Sequence, residues 1–204
     1  MCGIVGYIGD REAADFLMDG LAKLEYRGYD SAGIAVYNDG AIVVRKKAGR
    51  LVNLAEEVKA HPVVGTLGIG HTRWATHGGP SDVNAHPHTD EKGNFAIVHN
   101  GIIENYMELK EELLKKGYHF KSETDTEVVA HLCADMYDGD FTSTVRKVLA
   151  RLRGSYSLVF MCKFEPDKII CSKKDNPLIV GLGQGENYIA SDIPAILSYT
   201  RKTY

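Results

Sequence analysis

Short apolar segments recur along the whole chain without alternating regularly with helical stretches, and this arrangement constrains the fold more than any other feature. The segments are rich in Val, Ile, Leu and aromatic residues, and most end at Gly, Asp or Asn, which predicts β-strands. The predicted strands are Cys2–Ile8, Ala32–Tyr37, Ala41–Arg45, Gly65–Thr72, Phe95–His99, Tyr156–Cys162, Lys168–Cys171, Leu178–Gly181 and Tyr188–Ala190. The Asn-Asp-Gly sequence at 38–40 and the glycine-rich sequence at 181–187 predict hairpins.

Apolar residues at helical spacing predict the helices of the chain. They fall within Ala14–Leu24, Leu51–Val58, Ile102–Leu113 and Val129–Met136, and a less regular pattern covers Thr142–Leu152. Because strands and helices do not alternate one by one, a parallel doubly wound sheet is not favoured. Two mainly antiparallel sheets with helices packed outside them fit the order better. Since no internal repeat or linker interrupts the chain, we expect one α+β domain over residues 1–204.

The composition is that of an ordinary globular protein, with 44% hydrophobic and 25% charged residues. A net charge of -3 favours neither nucleic acid nor an anionic membrane surface as the main partner. No window approaches the roughly 18 uninterrupted apolar residues that a membrane-spanning helix needs. The 4 cysteines form no CxxC pair, so a disulfide framework is not favoured. We therefore expect a reduced, cytoplasmic protein.

A cysteine directly follows the initiator methionine, and two interpretations of it remain open from the residues alone. Cys2 is either a small apolar residue at the start of a buried strand, as free cysteines often are, or a functional group. In the second case, removal of Met1 leaves a single residue that carries both a thiol and a free α-amino group.

Four polar stretches interrupt the apolar pattern: YRGYDSAG at 26–33, HTRWATHG at 71–78, VHNGIIEN at 98–105 and SETDTEV at 122–128. Taken singly, each has an ordinary explanation. Arg73 fits a surface ion pair, Asn100-Gly101 fits a turn, and Asp125 fits a capping box over 124–127 at the start of a helix. Taken together, they supply an amide donor with an adjacent backbone N–H, one cation and one anion, and Cys2 adds a thiol. Hydrolysis of the side-chain amide of a free amino acid requires this set.

A group of histidines offers a competing interpretation as a metal-dependent hydrolase. Its members are His71, His77, His86, His88 and His99. Their spacing matches no established zinc pattern, since there is neither an HExxH sequence nor a CxxC companion. A metal site is therefore not favoured, and we expect none.

The motifs MCGIVG, YRGYDSAG, HTRWATHG, HNGIIEN and SETDTEV resemble those of the glutaminase domains of the glucosamine-6-phosphate synthase family, along essentially the whole chain. These domains are glutamine amidotransferases with an N-terminal nucleophile. Phosphoribosylpyrophosphate amidotransferases and asparagine synthetases share the Cys-Gly-Ile start, but their later motifs differ. The resemblance implies the N-terminal-nucleophile hydrolase fold, a four-layer αββα sandwich of two mainly antiparallel sheets.

The resemblance also implies catalytic roles. Cys2 is the nucleophile once Met1 is removed, and its own α-amino group is the general base. The side-chain amide of Asn100 and the backbone N–H of Gly101 form the oxyanion hole. An α-amine with a pKa of about 7.7–8.0 is suited to accept a thiol proton near neutral pH.

The substrate-binding residues that the resemblance implies are Arg73, Trp74, Thr76, His77, Asp125 and Arg27. By resemblance, Arg73 holds the α-carboxylate of L-glutamine with help from Thr76 and His77, while Asp125 holds the α-ammonium group. Trp74 belongs to a mobile loop that covers the substrate, and Arg27 lies in the same pocket region.

The resemblance implies no cofactor. It implies that ammonia passes to C-terminal sugar-isomerase domains, absent from this chain, where fructose-6-phosphate is converted to glucosamine-6-phosphate. A homodimer is expected for the full-length enzyme. The alternative that stays open is a module that binds glutamine without catalysis.

Overall fold

The computed structural model describes residues 2–204, so the expected removal of Met1 lies outside the described residues. The strands are β1 Gly3–Ile8, β2 Ser31–Asn38, β3 Ala41–Ala48, β4 Leu67–Arg73, β5 His88–Thr89, β6 Phe95–Ile103, β7 Gly154–Cys162, β8 Ile170–Lys174, β9 Ile179–Leu182 and β10 Asn187–Ala190. The α-helices are α1 Ala13–Leu24, α2 Leu51–Ala60, α3 Tyr106–Lys115, α4 Glu127–Met136 and α5 Phe141–Arg151. Every predicted strand is confirmed, and only the two-residue strand β5 was not predicted.

Two antiparallel sheets form the centre of the molecule. One has the strand order β3-β2-β4-β1-β10-β9, and the other has the order β5-β6-β7-β8. The first strand of the chain therefore lies inside the larger sheet, between β4 and β10.

The alternation of side chains along each strand builds the four layers. In β1, Ile4 faces the second sheet, while Val5 joins the cluster beneath helices α1 and α2. In β6, Val98 faces the first sheet, while Ile97 joins the cluster beneath helices α3, α4 and α5. The order of layers is helix, sheet, sheet, helix, which confirms the αββα sandwich.

The two predicted hairpins are present. Between β2 and β3, Asp39 and Gly40 have φ angles of 45° and 84°, as a tight turn with two left-handed residues requires. Between β9 and β10, Gly185 has a φ of 71°.

Two local predictions were wrong. The helix predicted over Ile102–Leu113 begins only at Tyr106, because Ile102 continues β6 and pairs with Ser155 of β7. The capping box predicted over 124–127 is absent. Helix α4 begins at Glu127, whose carboxylate instead accepts hydrogen bonds from the backbone N–H groups of Lys121 and Ser122, at 2.9 and 2.7 Å.

Among residues 2–204, no helix has both the length and the apolar character needed to cross a membrane.

Candidate active site

A cavity of about 370 Å³ lies where the start of β1 meets the last residues of β4 and β6. It brings together all but one of the predicted site residues: Cys2, Arg27, Arg73, Trp74, Thr76, Asn100, Gly101 and Asp125. His77 does not line the cavity. Its Nδ1 lies 3.3 Å from Oγ1 of Thr76, and its ring packs edge-on against Tyr106.

Strand pairing explains how Cys2 reaches the loop after β4. Because β1 and β4 run antiparallel with Gly3 opposite Thr72, Cys2 lies beside the end of β4. The backbone N–H of Trp74 donates to the sulfur at 3.1 Å, and the thiol is 3.4 Å from the carbonyl oxygen of Trp74. Burial raises the pKa of the Cys2 thiol, and the hydrogen bond from Trp74 opposes this effect. The thiol is therefore protonated at neutral pH and needs a base to become a nucleophile.

Asn100 and Gly101 lie on the other sheet, inside β6, so the interpretation of this pair as a turn was wrong. The side-chain amide of Asn100 donates to the carbonyl oxygen of Cys2 with an Nδ2–O distance of 3.0 Å. Gly101 has a φ of 117°, and a Cβ atom at this position would collide with the carbonyl oxygen of Ser155. Only glycine fits this backbone, which lies beside Cys2 in the cavity.

Arg73 is buried, with 3% exposure, so a surface ion pair is excluded. Its guanidinium donates to the carbonyl oxygens of Gly78 at 2.8 Å and Gly79 at 3.4 Å, and also to that of His77. A carboxylate oxygen of Asp30 lies 3.8 Å from the guanidinium. Arg73 therefore organises the loop that contains Trp74 and Thr76.

Asp125 is a buried carboxylate that also lines the cavity, in the segment that leads into α4. Its Oδ2 accepts a hydrogen bond from the backbone N–H of Ile103 at 2.8 Å, and its Oδ1 lies 3.9 Å from Nδ1 of His99. A buried cation, Arg73, and a buried anion, Asp125, thus line the same cavity.

Arg27 contacts Cys2 from a third direction. Its Nε donates to the carbonyl oxygen of Cys2 at 3.2 Å, and its Nη1 pairs with Oδ2 of Asp192 at 2.7 Å. The Cys2 carbonyl therefore accepts from both Arg27 and Asn100, and this fixes the backbone beside the thiol.

The buried histidines pack against one another at the site, and two of them, His86 and His99, line the cavity. His86 stacks on His71 with a ring separation of 4.2 Å and contacts His88 edge-on at 4.6 Å. The hydroxyl of Thr126 lies 2.9 Å from a ring nitrogen of both His86 and His99. Burial lowers the pKa of His71 to about 3, and it also lowers the pKa values of His86, His88 and His99. Within residues 2–204, no three His, Cys, Asp or Glu side chains converge on a position suited to a metal ion.

The sequence profile described as "Glutamine amidotransferase domain" matches residues 71–198, a stretch that contains most of this cavity. The chain belongs to the glutamine amidotransferase family.

Curated relatives of this amidotransferase domain carry the name glutamine–fructose-6-phosphate aminotransferase (isomerizing). The protein of Caldanaerobacter subterraneus is 60% identical over 204 residues, which are 100% of this chain and 34% of that protein. The protein of Aquifex aeolicus is 56% identical over 202 residues, which are 99% of this chain and 34% of that protein. The chain thus spans about a third of the length of these relatives.

Solved structures of amidotransferases share the fold of this domain. The phosphoribosylpyrophosphate amidotransferase of B. subtilis has a TM-score of 0.84 at 29% identity, covering 98% of this chain and 44% of its own. A class-II glutamine aminotransferase domain protein of Silicibacter pomeroyi has a TM-score of 0.62, covering 93% of this chain and 88% of its own. At 16% identity, the latter comparison supports the fold alone.

Several residues of the amidotransferase cavity were not predicted from the sequence. The cavity wall also contains His86, His99, Ile102, Thr126, Ser155, Asn176 and Pro177. Ser155 lies in β7 and Asn176 follows β8, and both reach the site because these strands continue the sheet of β6. No local motif marks them, since their positions depend on the pairing of distant strands.

Proposed function

We propose that this domain hydrolyses L-glutamine to L-glutamate and ammonia, with Cys2 as the nucleophile. The observation that carries the proposal is the Asn100 side-chain amide, which lies 3.0 Å from the carbonyl oxygen of the cysteine that follows the initiator residue. A thiol and a strong hydrogen-bond donor from different sheets thus meet in one cavity.

The proposed base is the α-amino group of Cys2, which becomes available when Met1 is removed. Burial raises the pKa of the thiol, so the thiolate forms only when a base accepts its proton. The buried histidines are poor candidates for this base. His71, for example, lies behind Asn100 and bonds to it through its Nε2. The α-amino group of Cys2 belongs to the same residue as the sulfur, so it can accept the thiol proton without the help of another side chain.

In the proposed reaction, the thiolate of Cys2 attacks the carboxamide carbon of glutamine, and the carbonyl oxygen becomes an oxyanion. The Asn100 amide and the Gly101 N–H donate to that oxygen. The C–N bond then breaks, and the leaving nitrogen takes the proton held by the α-amino group, so ammonia departs and a γ-glutamyl thioester remains. Water attacks the thioester, the α-amine accepts its proton, and glutamate leaves as the thiol is restored.

The charges of the cavity complement a free amino acid. We assign the α-carboxylate of glutamine to Arg73 and Thr76, and the α-ammonium group to Asp125. His77, which lies outside the cavity, helps by orienting Thr76 through the contact between its Nδ1 and Oγ1 of Thr76. A planar guanidinium and a carboxylate are the side chains that match these two groups best. Trp74 begins the loop that covers the substrate, and Arg27 holds the backbone of the nucleophile.

The names of the relatives extend the proposal to the longer protein. We propose that residues 1–204 form its glutaminase domain and that ammonia passes to sugar-isomerase domains, where it aminates fructose-6-phosphate to glucosamine-6-phosphate. A homodimer of that longer protein and a cytoplasmic location are part of the same proposal.

The test combines a glutaminase assay with intact mass spectrometry before and after incubation with 6-diazo-5-oxo-L-norleucine, a diazoketone analogue of glutamine. We expect glutamate release, a chain that lacks Met1, and one adduct that peptide mapping places on Cys2. The variant Cys171→Ser, at a half-buried cysteine outside the cavity, should still form the adduct, whereas Cys2→Ser should not.

The alternatives predict other outcomes. A module that only binds glutamine would show a higher Tm with glutamine but no glutamate release. A metal-dependent hydrolase would lose its activity to a chelator. A chain that lacks Met1 and forms no adduct would refute Cys2 as the nucleophile.

A further inference from the structure

The imidazole of His71 contacts the candidate oxyanion donor across the space between the two sheets. His71 lies on β4 of the larger sheet and Asn100 on β6 of the smaller one. Nε2 of His71 lies 2.9 Å from the side-chain oxygen of Asn100 and 2.9 Å from the carbonyl oxygen of His99. The same Asn100 amide donates to Cys2 through its nitrogen.

The partners determine where the proton of His71 lies. Both atoms that face Nε2 are acceptors, so Nε2 carries the hydrogen and donates to them. Nδ1 is buried and has no hydrogen-bond partner within the described part of the chain, as expected for the nitrogen without a proton. Burial lowers the pKa of His71 to about 3, so this neutral tautomer persists through the range in which the domain would work.

The ring itself is held in place from behind. His86 stacks on His71 at 4.2 Å with an angle of 27° between the rings. His86 in turn bonds to the Thr126 hydroxyl at 2.9 Å. His71 is fully buried, so neither the ring plane nor the direction of its N–H bond is free to change without displacing these neighbours.

We propose that His71 is a positioning residue that holds the Asn100 amide with its NH₂ group toward the nucleophile. The two ends of an amide have nearly the same shape, and only their hydrogen bonds decide which end faces the substrate. In the reversed orientation, the NH₂ group of Asn100 would face the N–H of His71, and its oxygen would face the developing oxyanion. His71 thus prevents the arrangement that would repel the transition state.

This role rests on the proposed glutaminase function, and it is tested with His71→Phe and His71→Gln. Phenylalanine fills the ring volume but removes the donor, while the glutamine amide nitrogen reaches the position of Nε2. We expect His71→Phe to lower kcat about 10- to 100-fold with little change in KM, which is below the full loss of an oxyanion donor. His71→Gln should recover most of that loss.

A double-mutant cycle separates positioning from a general structural effect. If His71 acts through Asn100, His71→Phe should lower activity no further in an Asn100→Ala background. In an Arg73→Ala background, it should retain its full effect on kcat/KM. Multiplicative losses with Asn100→Ala would overturn the proposal.

Alkylation of Cys2 by iodoacetamide provides a second measurement, since this displacement forms no oxyanion. We expect its rate to change less than about 2-fold in His71→Phe, because the proposed defect lies in the oxyanion hole. An alkylation rate that falls in parallel with kcat would place the defect in the nucleophile and overturn the role of His71.

If His71→Phe does not fold, His71→Gln and the shorter His71→Asn replace it. Full activity in both would refute the proposal, and retained activity in Gln alone would support it.

The outcomes also distinguish the two proposals. A wild-type protein without Met1 that neither releases glutamate nor forms the diazoketone adduct would refute the glutaminase function and, with it, the role of His71. An active wild type with an equally active His71→Phe variant would refute the role of His71 alone.

Discussion

The side-chain nitrogen of Asn100 lies 3.0 Å from the carbonyl oxygen of Cys2, and this hydrogen bond joins the two sheets at the candidate active site. Cys2 precedes the central strand of one sheet, while Asn100 belongs to the other. The spacing between the proposed nucleophile and the proposed oxyanion donor is therefore set by the packing of the sheets and not by a local loop. Preorganisation of this kind is what stabilises a developing charge without rearrangement.

Asn100→Ala should lower kcat for glutamine about 10²- to 10³-fold with KM nearly unchanged, as expected for the loss of one oxyanion donor. Steady-state glutamate release measures both constants. Asn105→Ala is a matched control, because within residues 2–204 its amide bonds only to the backbone of Arg151 and Arg153, at 2.9 Å each. It should lower Tm but leave kcat intact. An Asn100→Ala variant with normal kcat would exclude the oxyanion role.

Arg73→Ala should mainly raise KM for glutamine, by about 10- to 100-fold, because a charge-assisted grip on the α-carboxylate acts in the ground state and the transition state alike. With 4-aminobutyramide, a substrate that lacks that carboxylate, the difference between wild type and variant should be much smaller than with glutamine. Arg153→Ala is the control, since Arg153 is exposed and pairs with the exposed Glu108. A large fall in kcat at constant KM would contradict the assignment.

Gly101→Ala should abolish glutaminase activity and lower stability. The φ of 117° is strained for alanine, at a cost of about 1–3 kcal/mol, and the new Cβ would also collide with the Ser155 carbonyl oxygen. Gly93→Ala is the control, because Gly93 also has a positive φ, 65°, but a Cβ added there would meet no atom within 4 Å. It should lose some stability and keep its kcat. Equal activity in both variants would show that the backbone at Gly101 tolerates a side chain.

Stability should fall as the pH decreases from about 7 to about 5. Burial lowers the folded-state pKa values of His71, His86, His88 and His99 below the value of about 6.5 expected in the unfolded chain. Above that value neither state binds these protons, whereas below it only the unfolded chain takes them up. Each histidine then reduces the free energy of unfolding by up to about 1.4 kcal/mol per pH unit.

Urea denaturation at several pH values measures this dependence. Carboxylates at their ordinary pKa values titrate mainly below this window. The charges near His88 have opposing effects on its pKa, since Lys46 and Arg73 oppose its protonation while Glu127 favours it. His86→Phe should flatten the slope, because it removes one of the four titrating groups. An unchanged slope in that variant would mean that His86 binds a proton equally well in the folded and unfolded states.

Local patterns predicted the strands and helices well, because alternating apolar residues and helical stripes report directly on burial. These patterns failed where tertiary contacts determine the local conformation. Asn100-Gly101 has the composition of a turn but pairs with β7 inside a strand, and the Ser122–Glu127 contact replaces the predicted capping box. The resemblance of motifs supplied most of the candidate site. The relation between His71 and Asn100 could not be predicted, since it depends on how the two sheets are stacked.

The central position of β1 has a consequence for how the domain is made. β1 is translated first, but its neighbours β4 and β10 end at Arg73 and Ala190. A ribosome must therefore synthesise nearly the whole domain before the strand that follows Cys2 has both partners. The cavity beside Cys2 likewise needs residues as far along the chain as Pro177. A chain that ends before β10 leaves β1 without one of its two neighbours, and we expect such a chain to release no glutamate from glutamine.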